Sequence, residues 1–294
     1  MKILTPATSA NLGPGFDTLG LAIKLYNEVV ITKQNFRSVC INGEGSDKIG
    51  LKKNNTFILI FNEILSQLTG EQMEFRFNFT NNIPFSRGLG SSSSVIVAAI
   101  ASAYHMAGFK VDKSVVLNKA LKYESHPDNI SPAVWGGFTT NLVHNGAVYT
   151  QRAQLGDELR AVVVIPDKPM STKQSRNKLP KSYNMIDTVN NVSHASYLTA
   201  CFLKKDYLSL KIACIDKMHE DYRMPLLPEL YDVRKIAYEN GSLMSTLSGS
   251  GSTFFNLVYR DDAKKIADVL KQSFPNFRVE IYEFDNNGFE IVQS

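Results

Sequence analysis

The stretch that decides the fold is PFSRGLGSSSS, Pro84–Ser94, here called the Gly/Ser loop. Before it, MEFRFNFT (73–80) alternates apolar and polar residues, which predicts a strand with one buried face. After it, SVIVAAIASAYHM (94–106) predicts a buried helix that Gly108 ends. A helix that starts at such a turn has free backbone N–H groups, and these suit an anion such as phosphate.

Taken alone, the Gly/Ser loop has two interpretations. It lacks the Lys that follows the second Gly of a GxxxxGK[ST] P-loop. A Gly/Ser turn before a helix also serves as an ordinary cap with no ligand. The loop by itself does not decide between a phosphate site and a cap.

Two other polar loops favour the phosphate site. The N-terminal loop, PATSANLGPGFDTLGLA (6–22), places Asn11 and Asp17 in a polar bend that is longer than a tight turn between two strands requires. The C-terminal Gly loop, TLSGSGSTFFNL (246–257), lies between two apolar strands. Taken alone, the N-terminal loop would be an ordinary turn with polar side chains, and the C-terminal Gly loop would be a tight hairpin or bulge.

The rest of the chain predicts an α+β protein with two domains, 1–155 and 156–294. The first domain has turn and helix signals at fixed places: we expect a helix over 56–68 capped by Asn55 and a hairpin turning at Asn145-Gly146. The pattern restarts at Arg160. The expected elements are strands at 19–32, 160–166, 243–247, 253–259 and 277–284, and helices at 112–123, within 187–218, at 230–239 and from 261.

Composition excludes several classes of protein. The chain has 294 residues, 44% of them hydrophobic, and 32 Lys and Arg against 28 Asp and Glu, a net charge of +4. These values are typical of globular domains rather than of disordered or fibrous chains. Because the positive charge is small and diffuse, we expect no nucleic-acid partner.

The apolar runs and the cysteines indicate where in the cell the protein is expected and whether it is expected to hold disulfides or zinc. No apolar run approaches the ~18 residues of a membrane span, and no leader-like segment opens the sequence, so we expect a cytoplasmic protein without membrane association. Cys40, Cys201 and Cys214 lie far apart and form no CxxC pair. They predict neither a disulfide framework nor a zinc site.

Together the three loops resemble the signature motifs of the GHMP small-molecule kinases, in the family's order and across essentially the whole chain. The N-terminal loop resembles the first motif in its homoserine kinase form, the Gly/Ser loop resembles the ATP-phosphate loop, and LSGSGSTFF (247–255) resembles the C-terminal motif. The resemblance implies ATP-dependent phosphorylation of a small molecule. It also implies a two-domain GHMP kinase fold, with an N-terminal ribosomal-protein-like βαβ domain and a C-terminal ferredoxin-like domain.

Two further segments resemble substrate-side motifs of homoserine kinases: ESHPDNISPAVWGG, from Glu124, and STKQSR, Ser171–Arg176. They imply L-homoserine as the substrate. This zwitterion needs an oxygen acceptor for its ammonium and a planar donor fork for its carboxylate. Carried over by position, the substrate-binding residues are Asn11, Asp17, Asn129, Thr172, Arg176 and Arg223.

The resemblance further implies ATP and Mg²⁺ as cofactors. The ATP-binding residues would be Pro84, Arg87, Gly88, Leu89, Gly90, Ser91, Ser92, Ser93 and Ser94. Mg²⁺ usually takes one or two protein oxygens, here those of Ser92 and Glu124.

Three residues carry the expected catalytic roles. Asn129 would lie near the reacting hydroxyl, Arg176 would orient the substrate, and Asp128 is the nearest candidate for a general base. Phosphoryl transfer through a loose transition state can also proceed without a base, so both mechanisms stay open. We expect His126 to fix the HPDN turn (126–129). No role is assigned to His105, His144, His194 or His219.

Two alternative functions remain. One is a GHMP kinase for another small alcohol, such as mevalonate or shikimate, which would leave the Asp17 carboxylate unused. The other is a non-catalytic nucleotide- or RNA-binding module, against which the Ser92 and Glu124 pair and the lack of a basic stripe argue. Homodimers are common in the family, so a homodimer is a further expectation.

Overall fold

The computed structural model describes residues 1–292, which form two β-sheets covered by helices. The strands are β1 (Lys2–Ala10), β2 (Leu19–Gln34), β3 (Ser38–Gly43), β4 (Glu74–Asn81), β5 (Phe138–His144), β6 (Ala147–Ala153), β7 (Leu159–Ile165), β8 (Met244–Leu247), β9 (Phe254–Tyr259), β10 (Arg278–Tyr282) and β11 (Glu290–Val292). The helices are α1 (Ile49–Lys53), α2 (Thr56–Thr69), α3 (Ser91–Met106), α4 (Lys113–Ala120), α5 (Pro127–Trp135), α6 (Thr172–Arg176), α7 (Met185–Lys204), α8 (Leu210–Ala213), α9 (Glu220–Arg223), α10 (Glu229–Glu239) and α11 (Arg260–Ser273).

The first sheet has the order β11-β1-β2-β4-β3, and β5 pairs with β2 and with β6. The β3–β4 pair is parallel, and the other pairs of this sheet are antiparallel. Helices α2, α3, α4 and α5 contribute to its core. The alternation in β4 buries Phe75, Phe77 and Phe79, which meet the α2 rings of Phe57 and Phe61 edge to face. The predicted half-buried strand and the amphipathic helix therefore build one core.

The second sheet is antiparallel, in the order β10-β7-β9-β8. Alternate residues of β7 face opposite sides of the sheet. Val162 and Val164 pack with apolar residues of α10 and α11, whereas Ala161 and Val163 belong to a different buried cluster.

That other cluster joins the two sheets. It contains Leu21 and Ile23 of β2, Phe255 of β9, and Leu198 and Phe202 of α7. The rings of Phe138 and Phe202 stack with their centroids 4.1 Å apart. This apolar contact holds the loops of the first sheet against those of the second.

Local signals in the sequence match the structure closely. Asn55 caps α2, because its Oδ1 accepts a hydrogen bond from the Ile58 N–H at 3.3 Å. The β5–β6 hairpin turns at Asn145 and Gly146, with φ values of 51° and 74°. Within residues 1–292, no helix is both long and apolar enough to cross a membrane.

The proposed boundary between residues 155 and 156 falls between β6 and β7. The end of the chain departs from this division, because β11 pairs with β1 in the first sheet, with Val292 opposite Lys2. Residues 290–292 therefore belong to the first sheet rather than the second.

Candidate active site

The three loops meet at a cavity of about 170 Å³ that is lined by residues from both halves of the chain. All of the predicted site residues except Ser94 line it. From the substrate, metal and catalytic sets these are Asn11, Asp17, Glu124, Asp128, Asn129, Thr172, Arg176 and Arg223; from the Gly/Ser loop they are Pro84, Arg87, Gly88, Leu89, Gly90, Ser91, Ser92 and Ser93.

The C-terminal Gly loop connects the other two loops. The Gly249 carbonyl accepts hydrogen bonds from Asn11 Nδ2 at 3.0 Å and from Arg223 Nη1 at 3.1 Å. Ser248 Oγ donates to the Gly88 carbonyl at 2.7 Å. The C-terminal Gly loop therefore connects the N-terminal loop, Arg223 and the Gly/Ser loop by hydrogen bonds.

The Gly/Ser loop requires glycine at two positions. Gly88 and Gly90 have φ values of 78° and 66°, in the left-handed region. A Cβ on Gly88 would lie 2.1 Å from the Ser248 carbonyl oxygen, and one on Gly90 would lie 1.9 Å from Thr8 Oγ1. The loop can therefore approach its neighbours only without side chains here.

The start of α3 presents free backbone donors to the cavity. Its first intrahelical bond runs from the Ser94 N–H to the Gly90 carbonyl at 2.9 Å. The N–H groups of Ser91, Ser92 and Ser93 precede that bond and have no backbone acceptor within residues 1–292. Three donors at the positive end of a helix suit a phosphate group.

Two side chains of the Gly/Ser loop serve structural purposes instead. Ser94 Oγ accepts from Asn27 Nδ2 at 3.0 Å and donates to the Ser91 carbonyl at 3.1 Å, so it anchors α3 to β2. Arg87 donates to the Pro166 carbonyl and to Asp167 Oδ1, at 2.9 and 3.0 Å. Both side chains are thus engaged within the protein, and the ATP-binding roles of Ser94 and Arg87 stay predictions.

Asp17 and Arg176 face each other in the cavity. Arg176 Nη1 and Nη2 donate to the two Asp17 oxygens at 3.0 and 2.7 Å. This bonding raises the pKa of Arg176 further above its ordinary value. Phe16, which the sequence analysis did not single out, has its ring centroid 5.0 Å from the Arg176 guanidinium and 5.2 Å from that of Arg223.

Arg223 is a buried cation, only 2% exposed, on the short helix α9. Burial first, and then the neighbouring Arg176 charge, lower its pKa to about 10, so it stays charged at neutral pH. A buried guanidinium is costly without an anion, and its presence in this cavity favours an anionic ligand.

His126 links two carboxylates. Its Nδ1 lies 3.3 Å from Glu124 Oε1, and its Nε2 lies 3.6 Å from Asp17 Oδ2. The hydrogen bond to Glu124 is the main cause that raises the pKa of His126. His126 therefore lies between the Glu124 and Asp17 carboxylates, in addition to its position in the HPDN turn.

Asp128 and Asn129 lie in the first turn of α5. Burial, and then the Asp17 charge, raise the pKa of the Asp128 carboxyl to about 7. Asn129 Oδ1 accepts a hydrogen bond from Thr8 Oγ1 at 2.7 Å, which fixes the orientation of its amide. Asp128 can thus exchange a proton near neutral pH, and Asn129 can offer an N–H donor.

The oxygen donors fit a magnesium ion better than a transition metal. Among residues 1–292, no group of three or more His, Cys, Asp or Glu side chains is arranged to hold a metal. Ser92 and Glu124 line the same cavity, beside the free N–H groups of α3. Two hard oxygens next to a phosphate site match the usual protein contribution to bound Mg²⁺.

A second cavity, of about 380 Å³, adjoins the first and shares Ser91 and Ser92 with it. Phe57, Phe79 and Phe85 contribute to its apolar lining. No sequence pattern predicts this cavity, because its lining residues come from separate segments of the chain.

His219, to which the sequence assigns no role, lies close to the site. Its side chain is fully buried and lies beside Phe16, with ring centroids 5.4 Å apart. A lone His carries no motif signal, and only the fold brings His219 against Phe16 and Arg223, which line the cavity.

The fold and the site together define a GHMP kinase. The family model for the GHMP kinase N-terminal domain matches residues 55–137, and that for the C-terminal domain matches residues 200–276. Homoserine kinase from Campylobacter fetus is 73% identical over 294 residues, which is 100% of both chains. That from Campylobacter concisus is 64% identical, again over 100% of both.

Solved structures agree with these matches. The crystal structure of homoserine kinase from Cytophaga hutchinsonii has a TM-score of 0.88 and 26% identity, and the match covers 99% of this chain and 97% of that one. The chain belongs to the homoserine kinase family within the GHMP kinases. The predicted two-domain GHMP kinase fold is confirmed.

Proposed function

We propose that the chain transfers the γ-phosphoryl group of ATP to the hydroxyl of L-homoserine, which yields O-phospho-L-homoserine for threonine biosynthesis. The observation that carries this proposal is the pairing of two ligand chemistries in one cavity. Asp17, Arg176 and Arg223 suit a zwitterion, and the N–H groups of residues 91–93 suit phosphate.

The substrate is held by its two charged ends. Asp17 accepts from the ammonium group and keeps its bond to Arg176, while Arg223 binds the carboxylate. The Thr172 hydroxyl, 3.3 Å from Ser250 Oγ, borders the same space. Binding both the ammonium and the carboxylate fixes the position of the substrate hydroxyl. Such positioning contributes a large part of catalysis when a group is transferred between two bound molecules.

The nucleotide occupies both cavities. Its base enters the apolar cavity lined by Phe57, Phe79 and Phe85, and its phosphates lie on the start of α3. Ser92 and Glu124 hold Mg²⁺. The bound Mg²⁺ and ATP supply the phosphoryl group and the charge neutralisation that transfer requires.

Asn129 and Asp128 act at the reacting hydroxyl. Asn129, whose oxygen is engaged by Thr8, donates its amide N–H toward the hydroxyl oxygen and aligns it. Asp128 accepts the hydroxyl proton, for which a pKa of about 7 is suited near neutral pH.

The test is coupled ADP release with four alcohols: L-homoserine, mevalonate, shikimate and galactose. We expect L-homoserine to stimulate ADP release far above the other three, because only it presents both charged groups. Equal or higher activity with mevalonate would contradict the homoserine assignment and leave a kinase for another alcohol.

We propose further that the protein is cytoplasmic and forms a homodimer. The outward face of α7 supports the homodimer: Met185, Val189, Val192 and Leu203 are exposed at spacings typical of a helix–helix seam. Light scattering on Val189→Glu, which should be monomeric, tests this.

A further inference from the structure

His219 lies directly behind Arg223, which lines the cavity. Its Nε2 is 2.9 Å from the Gly13 carbonyl oxygen, and its Nδ1 is 3.3 Å from Arg223 Nη1. The side chain is completely buried. The imidazole thus connects the N-terminal loop to the cation that we assign to the substrate carboxylate.

The two partners determine which ring nitrogen carries the proton. A carbonyl oxygen only accepts, so Nε2 must donate to Gly13. A guanidinium only donates, so Nδ1 must be the unprotonated acceptor. His219 is therefore neutral, and burial, which lowers its pKa, acts in the same direction.

Asp216 sets the position of the ring through the backbone. Its Oδ2 accepts from the N–H groups of His219 and Glu220, each at 2.8 Å, and its Oδ1 accepts from Asn191 Nδ2 at 2.9 Å. These bonds hold the start of α9 against α7. Because Asp216 is engaged in this way, it fixes the segment that carries both His219 and Arg223.

The bonds to Arg223 occupy only one side of its guanidinium. Nη1 donates both to His219 and to the Gly249 carbonyl. Within residues 1–292, Nε and Nη2 have no protein acceptor, and Nε is buried. These two nitrogens form the side edge of the guanidinium, which matches the two oxygens of a carboxylate.

We propose that His219 is a positioning residue that, by accepting a hydrogen bond from Arg223 Nη1, holds the Nε–Nη2 edge of Arg223 toward the carboxylate of the substrate. The inference rests on the proposed function and deepens it. It assigns selection for a carboxylate to a residue that does not touch the substrate.

Two partial analogues of homoserine separate the charged ends. The compound 4-hydroxybutyrate keeps the carboxylate and lacks the ammonium, whereas 3-amino-1-propanol keeps the ammonium and lacks the carboxylate. Their dissociation constants are measured by calorimetric titration with ADP present. The protein is the full chain in each case.

In His219→Leu, the dissociation constants of L-homoserine and of 4-hydroxybutyrate should rise about 10- to 100-fold, as expected when a charged group loses its orienting bond. That of 3-amino-1-propanol should change by less than about twofold, and kcat by less than about threefold. His219→Asn, which keeps an acceptor close to the Nδ1 position, should lose less. The matched control is Asn256→Leu, since Asn256 is equally buried and bonds to the Val162 carbonyl at 2.9 Å, away from the cavity.

Equal losses for both analogues, or none for 4-hydroxybutyrate in folded His219→Leu, would overturn the proposal. If His219→Leu does not fold, His219→Phe, which keeps a ring of similar size and lacks the Nδ1 acceptor, decides in the same way. The proposed function fails by a different result, namely no homoserine-dependent ADP release by the unaltered protein. The two failures are thus distinguishable.

Discussion

Arg176 and Asp17 bind each other through two parallel hydrogen bonds of 3.0 and 2.7 Å, although 159 positions of sequence separate them. From the sequence, these two residues were expected to hold opposite ends of the substrate. Their bond means that they act as one unit, with the Asp17 carboxylate positioned by Arg176. If Asp17 accepts from the substrate ammonium as we propose, that recognition depends on Arg176.

Replacing Arg176 by Lys should weaken homoserine binding even though the charge is kept. An ammonium cannot span both oxygens of Asp17 or present a planar fork. We expect the KM for homoserine to rise by about 10-fold or more, the effect of a lost bond to a charged group. Arg278→Lys, at an exposed pair with Glu280, is the control. An unchanged KM in Arg176→Lys would place Arg176 outside the substrate site.

Glu124→Gln should lower turnover and raise the magnesium requirement together. The change keeps the shape and removes the anionic oxygen, and loss of one charge-stabilising group typically costs about 10²–10³ in turnover. The measurement is kcat against Mg²⁺ concentration. Asp128→Asn should also lower kcat, but excess Mg²⁺ should not relieve it. Wild-type behaviour of Glu124→Gln at low Mg²⁺ would exclude Glu124 as a ligand.

Asp128 should make the protein less stable as the pH rises. Its folded pKa is about 7, above that of an unfolded Asp, so its contribution is fully present below about pH 4 and is lost as pH rises through 7. The free energy of unfolding of Asp128→Asn, minus that of the unaltered protein, should be larger at pH 8 than at pH 5 by at least about 1 kcal/mol. Urea unfolding at both pH values checks this. Glu220, also with a pKa of about 7, contributes equally to both proteins, so the difference reports Asp128.

Gly90→Ala should impair catalysis through Thr8. A Cβ at position 90 would lie 1.9 Å from Thr8 Oγ1. Displacing Thr8 frees the Asn129 amide, so kcat should fall. Gly108→Ala is a matched control, since Gly108 has a φ of 80° and no atom within 4 Å of an added Cβ. Equal kcat values in Gly90→Ala and Gly108→Ala would contradict a specific effect through Thr8, because both variants carry the same backbone strain.

Ser94→Ala and Ser92→Ala should have separate effects. Ser94 is fully buried and bonds to Asn27, so its loss should lower the unfolding free energy by about 1 kcal/mol while ATP affinity stays unchanged. Ser92→Ala should leave stability unchanged and raise the Mg²⁺ requirement. Thermal melts and nucleotide titration measure both effects. Reduced ATP affinity in Ser94→Ala would restore its predicted role at the phosphates.

The sequence predicted those features that depend on local chemistry. Asn55 capping α2 and the turn at Asn145-Gly146 need only neighbouring residues, and both are present. The location of the site was predictable because three separate motifs had to meet. The three-residue strand β11 was too short to produce a pattern of its own.

What the sequence could not supply are partners that only the fold brings together. Arg87 turns toward Pro166 and Asp167, residues of the other half of the chain. His219 is one of five histidines, and its burial against Gly13 depends on where α9 packs. Periodicity also cannot distinguish a phenylalanine such as Phe57, which borders a cavity, from one that only fills the core.

The position of β11 also affects how the chain folds. Strand β1 lies between β2 and β11, so one of its two edges pairs with residues that lie some 280 positions later in the chain. During synthesis that edge stays unpaired until residues 290–292 have left the ribosome, and an unpaired strand edge is a template for association with other chains. Completion of the first sheet is therefore among the last folding events, and a long-range closure of this kind is intrinsically slow.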